Sequence, residues 1–165
     1  MTDAGVLVVG ASGILAPAAA QLAAADDGAP VTGVGRVRPM PSGVEAIAVD
    51  ARDAAALRRA LGARRWARAV VYAPAVTDAS LPVLRAAVDG PVVLVRTSAE
   101  AAPSPEEPGA PAPEPGPWTL QLGWAPGAGG ARWHTPEEIS DAALAVLRDG
   151  AGRTLGAVRP WADRP

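Results

Sequence analysis

Short runs of β-branched and aliphatic residues alternate along the chain with stretches of helical spacing. The first run, Gly5-Val-Leu-Val-Val9, has no polar side chain, as expected of a strand buried on both faces. It leads into Gly10-Ala-Ser-Gly13 and an Ala-rich helix predicted from about Ile14 to Ala25, closed by the turn chemistry of Asp26-Asp27-Gly28. A second strand, Pro30 to Gly35, ends at Arg36, and a third, Val44 to Val49, ends at Asp50. Asp53 is placed to cap a helix from Ala54 to Leu61. The fourth strand, Ala69 to Tyr72, is followed by Ala73-Pro74-Ala75 and a helix from about Leu81 to Val88. A fifth, Pro91 to Val95, runs into Arg96-Thr97-Ser98. Strands alternating with helices predict right-handed βαβ units and a parallel, doubly wound sheet.

The alternation then breaks. Seven prolines fall between Pro103 and Pro117, too many for a helix interior, where each costs about 3 kcal/mol. The segment reads as a loop with polyproline character. Trp118 to Leu122 predicts a sixth strand, and Gly123 to Gly130 a glycine-rich loop. The next stretch, Trp133-His-Thr-Pro-Glu-Glu138, carries a full helix start: Thr135 suits the N-cap, Pro136 the first turn, and Glu138 completes a capping box. That helix is predicted to run to about Arg148 and stop near Gly150, before a last strand from Thr154 to Val158 and a polar tail.

Composition narrows the chemistry. At 165 residues and 49% hydrophobic content, one domain over 1–165 is expected, burying roughly 70% of its unfolded surface. A net charge of −2 argues against a generally basic nucleic-acid binder. The chain has no Cys and a single His, His134, so disulfides and thiolate chemistry are excluded and no metal site is expected. All fifteen basic residues are Arg, which excludes Schiff-base chemistry and any phosphate-binding lysine. The N-terminus has neither a basic leader nor a long apolar run, and no membrane span is expected. A soluble cytoplasmic chain is the expectation. The densest basic stretch, Arg58, Arg59, Arg64, Arg65 and Arg68, lacks an aromatic platform beyond Trp66 and reads as a solvated helix face or a subunit contact.

The turn Gly10-x-x-Gly13-x-x-Ala16 joins the first strand to the first helix. Small residues there let a backbone approach a pyrophosphate, which sits on amides at the positive end of the helix. Val9-Gly10-Ala-Ser-Gly13-Ile14-Leu15-Ala16 resembles the cofactor turn of the extended and atypical short-chain dehydrogenase/reductases. Asp50-Ala-Arg-Asp53 resembles that family's third-strand aspartate, Trp118 to Gly123 the sixth strand of its NmrA-like branch, and Trp133 to Ile139 its helix start His-Val-x-Asp. The resemblance implies a single Rossmann-like domain of strand order 3-2-1-4-5-6 with a shortened substrate side. It assigns Gly10, Ser12, Gly13 and Ile14 to the pyrophosphate, Asp50 and Ala51 to the adenine, and Ala73, Pro74, Ala75 and Thr97 to the ribose-nicotinamide path. At the end of the second strand, where NAD-preferring enzymes place a carboxylate, this chain has Gly35 followed by Arg36, with Arg38 close by. A guanidinium grips a 2′-phosphate, so NADP(H) is expected over NAD(H).

The family's commonest catalytic device is missing. A Tyr-x-x-x-Lys helix should follow the fifth strand, but the chain has no Lys, and its one Tyr, Tyr72, ends the fourth strand. Ser98 matches the family's strand-five serine, and His134 is the remaining titratable candidate, opposed by a purely local role before the helix cap. Three functions stay open. The first is an NADP(H)-dependent reductase of the atypical branch acting on a small conjugated acceptor. The second is a dinucleotide-binding sensor or accessory subunit without turnover. The third is a non-redox biosynthetic reaction such as a cyclisation or dehydration. A homo-oligomer or a partner protein is expected where the substrate side is short.

Overall fold

The computed structural model describes residues 5–25, 27–36 and 39–165. Asp26 and Arg38 lie outside the described residues. β1 (Val6–Val9) is buried along its whole length and is paired in parallel on both sides, with β2 (Val31–Gly35) and β4 (Arg68–Tyr72). Outward from these lie β3 (Val44–Ala48) beyond β2 and β5 (Val92–Arg96) beyond β4. β6 (Thr119–Leu122) pairs with β5, giving the expected order 3-2-1-4-5-6, and the last strand extends it.

Burial explains which connection goes where. A parallel sheet must be covered on both faces. α1 (Ala16–Ala24) and α4 (Pro136–Asp149) bury Ala18, Ala19, Ala143, Val146 and Leu147 against Val6, Val8, Val70, Val93 and Val95. On the opposite face, α2 (Ala54–Leu61) and α3 (Leu81–Ala86) bury Leu57, Leu61, Val83 and Leu84 against Leu7, Val9, Val34 and Val71. Asp53 caps α2, its carboxylate accepting the Ala56 amide at 2.9 Å. Gly150, at φ 72°, closes α4 with its amide on the Val146 carbonyl.

The structure corrects several boundaries. α1 starts at Ala16 instead of Ile14, because the Gly13 and Leu15 amides fold back onto the Gly10 carbonyl. α3 stops at Ala86, where the Ala87 and Val88 amides bond to Leu84 and Arg85 and the chain turns back to Trp66. The predicted glycine-rich loop contains β7 (Trp124–Ala125), which pairs antiparallel with β8 (Arg132–Trp133) as a separate ribbon. The last strand, β9, is Arg153–Leu155 and pairs with β6, one residue earlier and shorter than the sequence pattern suggests. It ends because Gly156 (φ 77°) turns the chain so that Ala157 exchanges two backbone bonds with Trp124.

Three residues of the arginine stretch form ion pairs within the chain. Arg64 binds Glu45 through both nitrogens at 2.9 and 2.8 Å, Arg65 pairs with Asp89, and Arg68 lies 3.6 Å from Asp27. Arg64 also stacks over Trp66, whose indole N–H donates to buried Thr32 at 3.0 Å. Among the described residues no helix is long and apolar enough to cross a membrane.

The β5–β6 crossover carries only a short 3-10 turn, Ser98–Ala101, before the proline-rich segment. Arg159 anchors that segment, donating to the Ala110 carbonyl at 2.9 Å and the Ala101 carbonyl at 2.8 Å. Hydrogen bonds from a charged donor contribute about 1.5–3 kcal/mol each. Arg159→Ala should therefore speed cleavage after Glu106 by a glutamate-specific protease roughly tenfold or more and lower the thermal midpoint by at least a few degrees. Equal cleavage rates in variant and parent would show that the anchor does not hold the segment.

Candidate functional site

The connections from β1 and β4 leave the sheet toward opposite faces, so a crevice forms beyond the C-terminal ends of these strands. Its volume is about 380 Å³. Gly10, Ser12, Gly13 and Ile14 form one wall, Gly35, Arg36, Asp50 and Ala51 another, and Tyr72, Pro74 and Ala75 the third. Ala73 belongs to the same short turn as Pro74 but does not reach the lining.

The glycine turn is built for close approach. Gly10 sits at φ 101°, and a Cβ there would also lie 3.1 Å from the Tyr72 Cβ. Within the turn the Gly13 and Leu15 amides donate to Gly10, and that of Ala16 to Gly13. Among the described residues, the Ser12 and Ile14 amides have no acceptor in the chain. At the end of β2, a Cβ on Gly35 would come within 2.6 Å of the Ser12 hydroxyl. A side chain at this position would have to displace the Ser12 hydroxyl and the Met40 methyl group.

Arg36 stands where the sequence places it, 70% exposed, with Nη1 3.8 Å from Asp50. A pair this open contributes about 0–1 kcal/mol, so an anionic ligand can compete for the guanidinium. Asp50 also accepts the Arg52 amide at 3.0 Å. Arg52, which sequence reasoning did not single out, reaches across to the Pro74 carbonyl at 2.9 Å and lines the crevice.

Ile14 and Tyr72 are shared with a second cavity of about 200 Å³. This cavity brings together Thr97, Ser98 and His134, with Leu122, Gly123, Trp133 and Ile139 as its other walls. Thr97 thus lies here and not in the first crevice. Its carbonyl accepts a hydrogen bond from buried Gln121 at 2.8 Å, and its amide donates to Glu100 at 2.7 Å. Tyr72 was missed as a site residue. Its position as the last residue of a central parallel strand was the available signal. Burial, and secondarily the charge of Glu100, push its phenol above the ordinary tyrosine range.

His134 is held by the start of α4. Glu138 accepts both Arg132 nitrogens at 2.9 and 2.8 Å and the Thr135 amide at 2.9 Å, while Thr135 Oγ1 accepts the Glu138 amide. The Arg132 guanidinium, followed by the Thr135 amide, lowers the Glu138 carboxyl to about 2. His134 Nδ1 lies 3.2 Å from that carboxylate, and its side chain is 8% exposed. An ionised carboxylate can only accept, so Nδ1 carries the proton and donates it. Among the described residues, Nε2 is buried with no hydrogen-bond partner. A side chain on Gly156 would collide with it.

Two tests follow from this network. Because the Glu138 carboxyl is depressed when folded, its contribution is present above about pH 4.3, the unfolded value, and is lost toward pH 2. Glu138→Gln should therefore flatten the loss of stability between those limits in pH-dependent urea unfolding; an unchanged slope would refute the assignment. Since the chain has one histidine, nitrogen NMR reads its tautomer without assignment. Near neutral pH the unprotonated fraction should carry its proton on Nδ1, and Glu138→Gln should shift the balance toward Nε2.

No family model matches the sequence, and no curated protein matches it. Solved structures do share its fold. A short-chain dehydrogenase/reductase from Veillonella parvula aligns over 100% of this chain and 99% of its own, with a TM-score of 0.58 and 15% identity. An oxidoreductase of the short-chain dehydrogenase/reductase family from Burkholderia thailandensis aligns over 94% and 92%, with a TM-score of 0.54 and 17% identity. A Burkholderia pseudomallei chain provisionally named an exported protein gives 0.56 at 17% identity over 93% and 99%. The chain has a Rossmann-like α/β fold, and its structural neighbours include oxidoreductases of the short-chain dehydrogenase/reductase family.

Proposed function

We propose that the crevice and the second cavity bind one NADP(H) molecule and that the chain is a reductase of the atypical short-chain dehydrogenase/reductase type. The supporting observation is the turn itself: Ser12 and Ile14, whose amides have no acceptor among the described residues, line a crevice that adjoins, at Ile14 and Tyr72, the cavity of Ser98 and His134. The residues fit the cofactor. Gly10 and Gly13 leave the backbone open to a pyrophosphate, and Arg36 and Arg52 put two guanidinium groups in the crevice. Asp50 yields Arg36 readily, because their separation is 3.8 Å and both are exposed.

Bound NADPH would supply a hydride to an electrophilic carbon of a small conjugated acceptor. The residues of the second cavity have the complementary task. The acceptor oxygen takes its proton from solvent, since His134 Nδ1 is committed to Glu138 and Nε2 is buried against Gly156; the imidazole serves as a fixed part of the cavity wall. Ser98, 6% exposed, orients that oxygen. Tyr72 stays neutral, since its phenol is pushed up, and forms the wall between the two compartments.

A second reading, a dinucleotide sensor without turnover, draws support from the β5–β6 crossover, which has a 3-10 turn where a catalytic helix would lie. Calorimetric titration of NADPH, NADP, NADH and NAD separates binding from its absence, and an acceptor screen then separates reductase from sensor. The phosphorylated forms should bind roughly ten- to a hundredfold more tightly than the others, and Arg36→Ala should remove most of that difference. No binding by any of the four would end both readings and favour a non-redox substrate in the crevice.

A further inference from the structure

Beyond the second cavity, the C-terminal segment places a cation between two indoles. The Arg164 guanidinium lies 5.1 Å from the Trp133 ring centre and 5.3 Å from that of Trp161. Trp161 stands edge-on to Trp124 at 5.9 Å, and Trp124 is buried. The backbone beneath is fixed, since Ala157 exchanges two 2.8 Å hydrogen bonds with Trp124 and a 3-10 turn spans Trp161–Asp163. Arg164 is therefore held in place by rings that are themselves anchored.

Stacking engages the faces of a guanidinium and leaves its N–H edge available. Among the described residues, Arg164 has no carboxylate partner and no acceptor for its side-chain donors. Its neighbours differ. Arg132 gives its fork to Glu138, and Arg159 gives its donors to carbonyls. Trp133, at 45% exposure the most open large apolar side chain among the described residues, also lines the cavity that holds Ser98 and His134. An uncommitted, pre-oriented guanidinium thus lies one indole away from the reacting compartment.

We infer that Arg164 recognises a carboxylate on the substrate, so that the acceptor is a flat, conjugated acid whose unsaturated end enters the second cavity. A planar two-donor edge matches a carboxylate bidentately, and pre-orientation by two indoles lowers the ordering cost of binding. A cavity of about 200 Å³ admits one small planar group, which leaves the charged end to lie along Trp133 at the rim. The inference rests on the reductase reading for the identity of the cavity as a substrate site.

The test uses trans-cinnamate and its neutral counterpart, trans-cinnamamide, titrated calorimetrically into the whole chain with and without saturating NADP. Cinnamate should bind at least tenfold more tightly, and the preference should weaken with salt. Arg164→Gln should bring the two ligands to equal affinity while leaving cinnamamide binding unchanged. Arg164→Lys should restore only part of the preference, because an ammonium lacks the fork. Near-ultraviolet circular dichroism and the thermal midpoint check that the variants are folded. Equal binding of both ligands by the parent, binding of neither at millimolar concentration, or a preference that survives Arg164→Gln would each overturn the inference. Separate titration of NADPH reads the crevice alone: loss of that binding with the cinnamate preference retained would remove the dinucleotide reading and leave the carboxylate site standing.

Discussion

Parallel pairing of β1 on both sides is the constraint from which the rest of the structure follows. A strand buried edge to edge and face to face has no solvent-exposed polar side, so its sequence must be apolar throughout, and Val6 to Val9 are all buried. Each parallel partner needs a crossover, and the right-handed rule sends the crossovers on either side of β1 to opposite faces. The gap left between them is the crevice. Its place is thus a consequence of topology, while its chemistry comes from whatever residues end β1, β2, β3 and β4. In this chain those ends supply Gly10, Gly35, Asp50 and Tyr72.

The same constraint is relaxed on the outer half of the sheet. Among the described residues no helix covers the α2–α3 face over β6, and the strands carry polar residues there. The register places Arg96 beside Gln121 and Gln121 beside Thr154. Gln121 is nonetheless buried, which is tolerable because its amide donates to the Thr97 and Leu122 carbonyls. Trp118, at φ 55°, adopts a backbone conformation costly for a bulky residue and offsets it by laying its indole on Gly150. The polar strand face, the 3-10 turn and the proline-rich segment are therefore one feature. A chain that builds no helix after β5 must solvate or hydrogen-bond what that helix would have covered.

The strands, helices and glycine turn were readable because they depend on local signals (apolar runs, glycine punctuation and caps such as Thr135 with Glu138), while the sheet order came with the family resemblance. The β7–β8 ribbon was not readable, since Trp124-Ala125 lies inside a glycine-rich run and is paired by contacts distant in sequence. The crevice residues Gly10, Ser12, Gly13, Ile14, Asp50 and Ala51 followed from the glycine turn and the family resemblance, and Arg36 from the end of the second strand. Arg52 and Tyr72 were missed. Arg52 looks like an ordinary exposed cation until the turn after β4 brings the Pro74 carbonyl to it. The Arg36–Asp50 pair was equally hidden, because it forms just beyond the ends of β2 and β3, where the parallel register brings distant residues together without any periodic sign.

Electrostatics decides how the proposed site divides its labour. In enzymes with a Tyr-Lys pair the ammonium lowers the phenol, so tyrosine can exchange a proton near neutral pH. Here the chain contains no lysine, and both burial and Glu100 move Tyr72 the other way. A phenol raised in this manner keeps its proton and serves as a wall or a neutral donor. Proton exchange at the proposed site then falls to solvent. Glu138, kept ionised by Arg132, fixes His134 with one ring nitrogen committed and the other unpartnered among the described residues. The sequence elements that cap α4 thereby also orient the imidazole. The helix start read from its pattern thus also fixes one wall of the second cavity.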